Sequence, residues 1–264
     1  MSLKKSVLVT GSAARLGATL ARFFAMDGWR VFCHYDKSRA AAEALIEELR
    51  NAGSDALALQ ADLSSEDGCR QLVAKVKSHV ERLDCLVNNA SAFEPDSATD
   101  FDSVQALRQL QVNLLAPLSL TRWMAQDLVA ADATIPSCVI HVLDQKVFNL
   151  NPDYFTYTIS KLALERAVAL QAQALAPRIR VCGVAPGLMY ASGPQSRENF
   201  EQAAQANLLK RATDPDDVAR TCLFLASNGG ITGATVSVDN GQHLVPLPRD
   251  IMFVVEELLK VKSA

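Results

Sequence analysis

The stretch Val7-Leu8-Val9-Thr10-Gly11-Ser12-Ala13-Ala14-Arg15-Leu16-Gly17 runs from an apolar, strand-like segment through two glycines into a helical pattern. Glycines at such a junction let the backbone turn sharply and approach a pyrophosphate. The helix that follows offers unpaired N–H groups and the positive end of its dipole. The spacing is Gly-x-x-x-Arg-x-Gly, and on its own it reads either as a cofactor turn or as a tight connection. Arg15 is correspondingly either a solvated helix residue or a clamp on phosphate or substrate.

Outward from this turn, short apolar runs at 5–10, 30–35, 55–60, 84–88, 137–143, 179–184 and 235–238 alternate with helical patterns at about 16–27, 38–52, 65–82, 100–130, 154–175 and 214–227. Continuous apolar runs are what parallel strands covered on both faces require. Strand–helix repetition with right-handed crossovers predicts a doubly wound α/β sheet. Ser64 and Asp214-Pro215 read as helix starts. With 264 residues, 49% of them hydrophobic and 21% charged, the chain has the means to bury a full core. No linker-like stretch divides it, so one domain spans 1–264, with irregular stretches at 186–212 and 244–264. A net charge of −3 excludes bulk attraction to nucleic acid or an anionic membrane. The six cysteines show no metal-ligand spacing and read as buried thiols of a reducing compartment. No metal is expected. The apolar segment near the N-terminus is too short for a secretion signal, and no run approaches a membrane span, so a cytoplasmic protein is expected.

Two further places carry chemistry. The end of the second strand reads His34-Tyr35-Asp36-Lys37-Ser38-Arg39. In a dinucleotide fold an acid here bonds a ribose hydroxyl, and basic groups accept a 2′-phosphate. Asp36, 19 residues after Gly17, argues for NAD, whereas Lys37, Ser38 and Arg39 argue for NADPH, the favoured reading. Ser38 would alternatively cap the next helix. Farther on, Tyr157-Thr158-Ile159-Ser160-Lys161 places a phenol and an ammonium on one helix face. The ammonium is expected to lower the phenol's pKa and make Tyr157 a proton donor or acceptor.

With these pieces in order, residues 5–243 resemble the short-chain dehydrogenase/reductase family. The resemblance rests on Thr10-Gly11…Gly17, Asp62-Leu63, Asn88-Asn89-Ala90-Ser91, Asn113, Tyr157-x-x-x-Lys161 and Pro186-Gly187. It implies a seven-stranded parallel sheet of Rossmann type with helices on both faces. It implies Tyr157 as proton donor, Lys161 as ribose ligand and pKa tuner, and Asn113 as support for a relay water. Asp62-Leu63 would border the adenine, Asn89-Ala90 the cofactor cleft, and Gly11, Leu16, Gly17, His34, Tyr35, Pro186 and Gly187 would complete the cofactor site. Asp62 and Asn113 would otherwise only cap helices.

Two departures from the common family pattern stand out. Arg15 replaces the middle glycine, and Asp144 stands 13 residues before Tyr157, where a Ser is usual. An ionised carboxylate cannot donate to a ketone oxygen. Arg15, Asp144, His34-Tyr35-x-Lys37-Ser38 and Asn89-Ala90-Ser91-x-Phe93 together are similar to the pteridine reductase branch, with its bacterial dihydromonapterin and dihydrofolate reductases. That likeness implies an NADPH-dependent reductase of a pterin or folate. Phe93 would stack on the heterocycle, Arg15 and Ser91 would bond its edge, and Asp144 with Tyr157 would deliver the proton. Phe93 as loop packing and Asp144 as a strand-end cap are the plain alternatives. The other readings are a reductase of carbonyl or acyl substrates and a silent dinucleotide-binding protein. Residues 186–212 occupy the place of the family's lid, where Leu188 and Met189, and less clearly Tyr190, would touch nicotinamide or substrate. The tail has an amphipathic pattern that would pack either at the interface of a homotetramer or dimer, which the family commonly forms, or within the chain.

Overall fold

The structure, a computed structural model, describes residues 4–126, 136–193 and 195–263. Seven strands form one parallel sheet: β1 (Ser6–Val9), β2 (Arg30–Tyr35), β3 (Ala56–Gln60), β4 (Cys85–Asn88), β5 (Ser137–Val142), β6 (Ile179–Pro186) and β7 (Thr235–Val238). Their spatial order is β3-β2-β1-β4-β5-β6-β7, with every pairing parallel. The chain therefore leaves β1 toward one edge and returns through β4 toward the other. The crevice between the ends of β1 and β4 is the switch point at which such sheets bind ligands.

Alternate strand residues feed two separate cores, as the two-residue period of a strand requires. Val7, Val9, Val31, Cys33, Cys85, Val87 and Ile140 face a core closed by α1 (Arg15–Met26), α2 (Arg39–Asn51) and α8 (Pro215–Ser227). Leu8, Phe32, Leu86, Val139 and Val181 face the opposite core, closed by α3 (Glu66–Lys77), α5 (Ala116–Ala125) and α6 (Phe155–Leu175). Leu8, Phe32 and Leu86 are wholly buried, so truncating any one to Ala removes about 2–5 kcal/mol. The six cysteines are buried free thiols within this packing. Among the described residues no helix is long and apolar enough to cross a membrane.

Three elements differ from the expectations by more than one residue. The third helix stops at Lys77 instead of continuing to 82, and its cap is Ser65, whose hydroxyl accepts from Gly68 N, not Ser64. The pattern at 100–130 is interrupted: α4 (Ser103–Leu110) passes through a π-helical turn, Gln111–Leu115, into α5, and 127–130 lie outside the described residues. The sixth strand runs two residues further, to Pro186, because Ala185 and Pro186 pair in register with Ser237 and Val238. In the two irregular stretches the chain adds α7 (Arg197–Ala203) and α9 (Ile251–Ser263).

Candidate active site

The glycine turn is fixed by close approach. Gly11 has φ +62°, and a Cβ there would stand 2.9 Å from Ala90 Cα. A Cβ on Gly17 would stand 2.2 Å from the Gly11 carbonyl oxygen, which only glycine allows. Asn89, from the end of β4, donates through Nδ2 to Thr10 O at 2.8 Å and to Gly11 O at 3.2 Å. His34, at the end of β2, accepts the Gly11 N–H on Nδ1 at 3.0 Å, and its Nε2 lies 3.2 Å from Ala61 O. The proton is thus assigned to Nε2, and burial lowers the ring's pKa to about 4. The N-cap of α1, Ala14, supplies no side-chain acceptor, so the first N–H groups of that helix have no capping partner. Ala13 and Ala14 border a cavity of about 830 Å³.

That cavity brings together nearly all the residues expected from the sequence. Gly11, Arg15, Leu16, Gly17, His34, Tyr35, Lys37 and Ser38 border it, as do Asp62, Leu63, Asn89, Ala90, Ser91 and Phe93. From the chain's second half come Asp144, Tyr157, Lys161, Pro186, Gly187, Leu188, Met189 and Tyr190. Ser38 is the N-cap of α2 yet makes no side-chain cap bond, and Arg39 turns instead to Glu43, Nε to Oε1 at 2.7 Å. Asp62 Oδ1 accepts the Ser64 N–H at 2.8 Å, ordering the turn after β3. Asn113 does not border the cavity. Its buried amide accepts from Ala92 N at 2.7 Å and donates to Ala92 O at 2.8 Å and Ser160 Oγ at 3.1 Å, tying the loop after β4 to α6.

At the inner end, the Tyr157 hydroxyl donates to Asp144 Oδ2 at 2.9 Å. Asp144 Oδ1 accepts from Lys146 N at 2.9 Å, and Lys161 Nζ donates to Val142 O at 2.8 Å. The expected lowering of the phenol's pKa is not what this arrangement produces. Burial, and then the adjacent Asp144 carboxylate, push Tyr157 well above its ordinary value, while Lys161 sits 5.7 Å from the ring centroid and spends a hydrogen bond on a carbonyl. Burial raises Asp144 above the usual carboxylate range, with the Lys146 N–H and the two ammonium groups opposing. Burial lowers Lys161 to about 8. The phenol is therefore held as a proton donor, not as a phenolate.

Phe93 is 37% exposed and packs edge-on to Tyr157, centroids 4.6 Å apart. One of its faces is already stacked on Tyr154 at 4.2 Å. Tyr154 opens α6 with a left-handed backbone, φ 55°, a costly conformation for an aromatic residue and one that clusters at functional sites. Arg15 is likewise left-handed, φ 51°. Its guanidinium reaches across to the segment after β6, with Nη2 2.8 Å from Ala191 O and the group 4.8 Å over the Tyr190 ring.

The sequence reading missed one whole wall. Lys146, Tyr154, Asp250, Ile251 and Met252 also border the cavity. The tail packs within the chain, with α9 against α7 and Asn199 Nδ2 donating to Met252 O at 2.9 Å. The usable signal was the opposite charge of Lys146 and Asp153 against Arg249-Asp250, too far apart in sequence to be read as a pair.

Comparison with known proteins agrees with this fold. The family model described as enoyl-(acyl carrier protein) reductase matches residues 11–243. A dihydromonapterin reductase of Klebsiella pneumoniae is 30% identical over 240 residues, covering 91% of this chain and 97% of that protein. An uncharacterized oxidoreductase of Methylorubrum extorquens is 31% identical over 245 residues, covering 90% and 97%. Among solved structures, the FolM alternative dihydrofolate reductase 1 of Brucella canis, complexed with NADP, superposes with a TM-score of 0.84 at 36% identity, covering 91% of this chain and 94% of that one.

Proposed function

The chain belongs to the short-chain dehydrogenase/reductase family of oxidoreductases, and we propose that within it this protein is an NADPH-dependent reductase of pterins, taking a dihydropterin or dihydrofolate to the tetrahydro form. The observation that carries the reading is the buried Asp144 carboxyl bonded to the Tyr157 phenol, beside Phe93 and bordering the same cavity as Arg15 and Ser91.

The cofactor fits the residues present. Uncapped N–H groups at the start of α1 and the backbone approach forced at Gly11 and Gly17 suit a pyrophosphate. Lys37 and the Ser38 hydroxyl border the cavity at the tip of β2 and suit a 2′-phosphate. Asp62 and Leu63 suit the adenine, and Lys161, Asn89, Pro186, Gly187 and Leu188 the nicotinamide riboside. When bound, the reduced nicotinamide supplies a hydride to the carbon of a ring C=N bond. Tyr157 passes its proton to the adjacent nitrogen and is recharged from water entering the cavity, with Asp144 as the hydrogen-bond partner that orients the phenol. Lys161 stabilises the transient phenolate. Phe93 offers its free face to the heterocycle, and Arg15 and Ser91 bond its polar edge. Asn113 acts at one remove, by holding Ser91 and Ala92 in place. A homo-oligomer would cover exposed apolar side chains such as Leu107 and Leu115.

A second reading, a carbonyl or acyl reductase, is favoured by the description of the matching family model. The test follows NADPH oxidation with dihydromonapterin, dihydrobiopterin and dihydrofolate as separate substrates, with NADH in parallel. Turnover of a pterin that is stronger with NADPH and lost in Tyr157→Phe is the expected result. Tight NADPH binding with no pterin turnover would overturn the proposal in favour of the second reading.

A further inference from the structure

Among the residues bordering the cavity, the proposed reaction leaves one buried ammonium without a task. The Lys146 side chain is 3% exposed, and its ammonium lies 2.7 Å from Asn151 Oδ1, 3.4 Å from Asp153 O and 3.0 Å from Asp250 Oδ2. A buried ammonium persists only when it is paired and hydrogen-bonded. Its ionic partner comes from the C-terminal tail, about a hundred residues away. The same Asp250 carboxylate uses its other oxygen, Oδ1, to accept the Met252 N–H at 3.1 Å at the start of α9. Next to it, Arg249 grips Asp153 through Nε and Nη2, each 2.8 Å from a carboxylate oxygen, and Asp153 Oδ2 also accepts the Asp250 N–H at 2.7 Å.

These contacts set the tail against the catalytic tyrosine. Met252 shares a buried apolar cluster with Tyr154 and Tyr157. Phe253 stacks with Tyr154 at 6.0 Å, which in turn stacks on Phe93 at 4.2 Å. Asp250, Ile251 and Met252 border the same cavity as Asp144. A short helix has little stability of its own, so the position of this wall depends on its anchors. We propose that Arg249–Phe253 is the outer wall of the substrate subsite, supplied by the chain to its own active site, and that the Lys146–Asp250 ion pair is the positioning contact that holds it there. The proposal rests on the pterin reading only for the identity of the substrate; the wall itself would serve any flat, largely apolar ring bound in this cavity.

Asp250→Asn is the cleanest variant, because an asparagine oxygen still accepts the Met252 N–H while the amide NH2 left facing Lys146 can no longer pair with it. Lys146→Met removes the pair from the other side. Hydrogen exchange over 250–263, NADPH affinity, and kcat and KM for the dihydropterin are measured on the intact wild type, both single variants and the double variant. In each single variant the expected result is faster exchange over 250–263, a KM raised about tenfold, and NADPH affinity within about twofold of wild type. The double variant should be no worse than either single, because both remove one interaction. Unchanged exchange would show that the pair does not hold the tail. Faster exchange with unchanged KM would show that the tail is not part of the site. Either result overturns the proposal. If the wild type turns over a carbonyl compound and no pterin, the pterin reading falls, and the same KM ratio on the carbonyl compound decides the proposal.

Discussion

Two imidazoles make this fold acid-labile by an amount that can be worked out. His34 holds the glycine turn through Gly11 N–H, and His141, on β5, is buried between Asn88 and Gln171. Burial lowers both to about 4 from the ordinary 6.5. Between those values the unfolded chain binds more protons than the folded one, so stability rises with pH. The contribution is complete above about pH 6.5 and drains away as pH falls toward 4. Taking the pH from about 7 to 4.5 costs roughly 2 kcal/mol per histidine, or 4–5 for the two. That is a large share of a typical 5–15 kcal/mol. Protonating His34 also removes the lone pair that accepts the Gly11 N–H, so affinity for NADP+ should fall in the same window. Urea denaturation across this range, on wild type and on His34→Asn, measures the effect. The variant keeps an oxygen able to accept from Gly11. It should start about 1 kcal/mol less stable at neutral pH, from the lost bond to Ala61, yet lose roughly 2 kcal/mol less on acidification. Equal acid losses in the two proteins would refute the assignment of His34 as a neutral buried acceptor.

Five further outcomes follow from the same geometry. Gly17→Ala drives a methyl to 2.2 Å from Gly11 O, and should cost about 1–3 kcal/mol of stability and weaken NADPH binding in a fluorescence titration. Lys37→Ala should raise the dissociation constant for NADPH about tenfold while leaving NADH unchanged; equal losses for both cofactors would remove the 2′-phosphate from the argument. Tyr157→Phe should lower kcat about 10²–10⁴-fold with cofactor binding intact, and Asp144→Ser should impair a pterin reductase but improve a ketone reductase. The reductive rate should decline as pH rises through about 8, the value to which burial lowers Lys161, and a pH–rate profile flat between 7 and 9 would contradict a protonated Lys161 in the active form.

The parts of this molecule that were legible in the sequence are those where chemistry is local. The central strands are covered on both faces, so Val7-Leu8-Val9 and Ser137–Val142 announce themselves as apolar runs whatever packs against them. The glycine turn and the Tyr157/Lys161 pair are equally local, being set by spacing along one element. The π turn at Gln111–Leu115 was not legible, because an extra residue in one helical turn leaves the apolar pattern looking continuous. The left-handed backbone at Arg15 and Tyr154 was hidden for a related reason: neither residue type advertises a positive φ. The tail was hidden by distance, since Arg249 and Asp250 acquire meaning only beside Asp153 and Lys146.

The corrected protonation of Tyr157 has a wider consequence for the site. In isolation, an ammonium four residues from a phenol predicts an easily ionised tyrosine. Here the carboxyl of Asp144 is the phenol's hydrogen-bond partner, at 2.9 Å, and the ammonium is committed to Val142 O. The local balance therefore favours O–H over O⁻. A reductase gains from that balance: its acid must be charged with a proton before each hydride arrives, and a phenol held above its ordinary pKa is charged at neutral pH. The same balance works against the reverse, dehydrogenating direction, which needs a base. Asp144 thus does more than replace a hydroxyl. By helping burial to hold the phenol's pKa up, it keeps the acid that the proposed reduction needs in its protonated form.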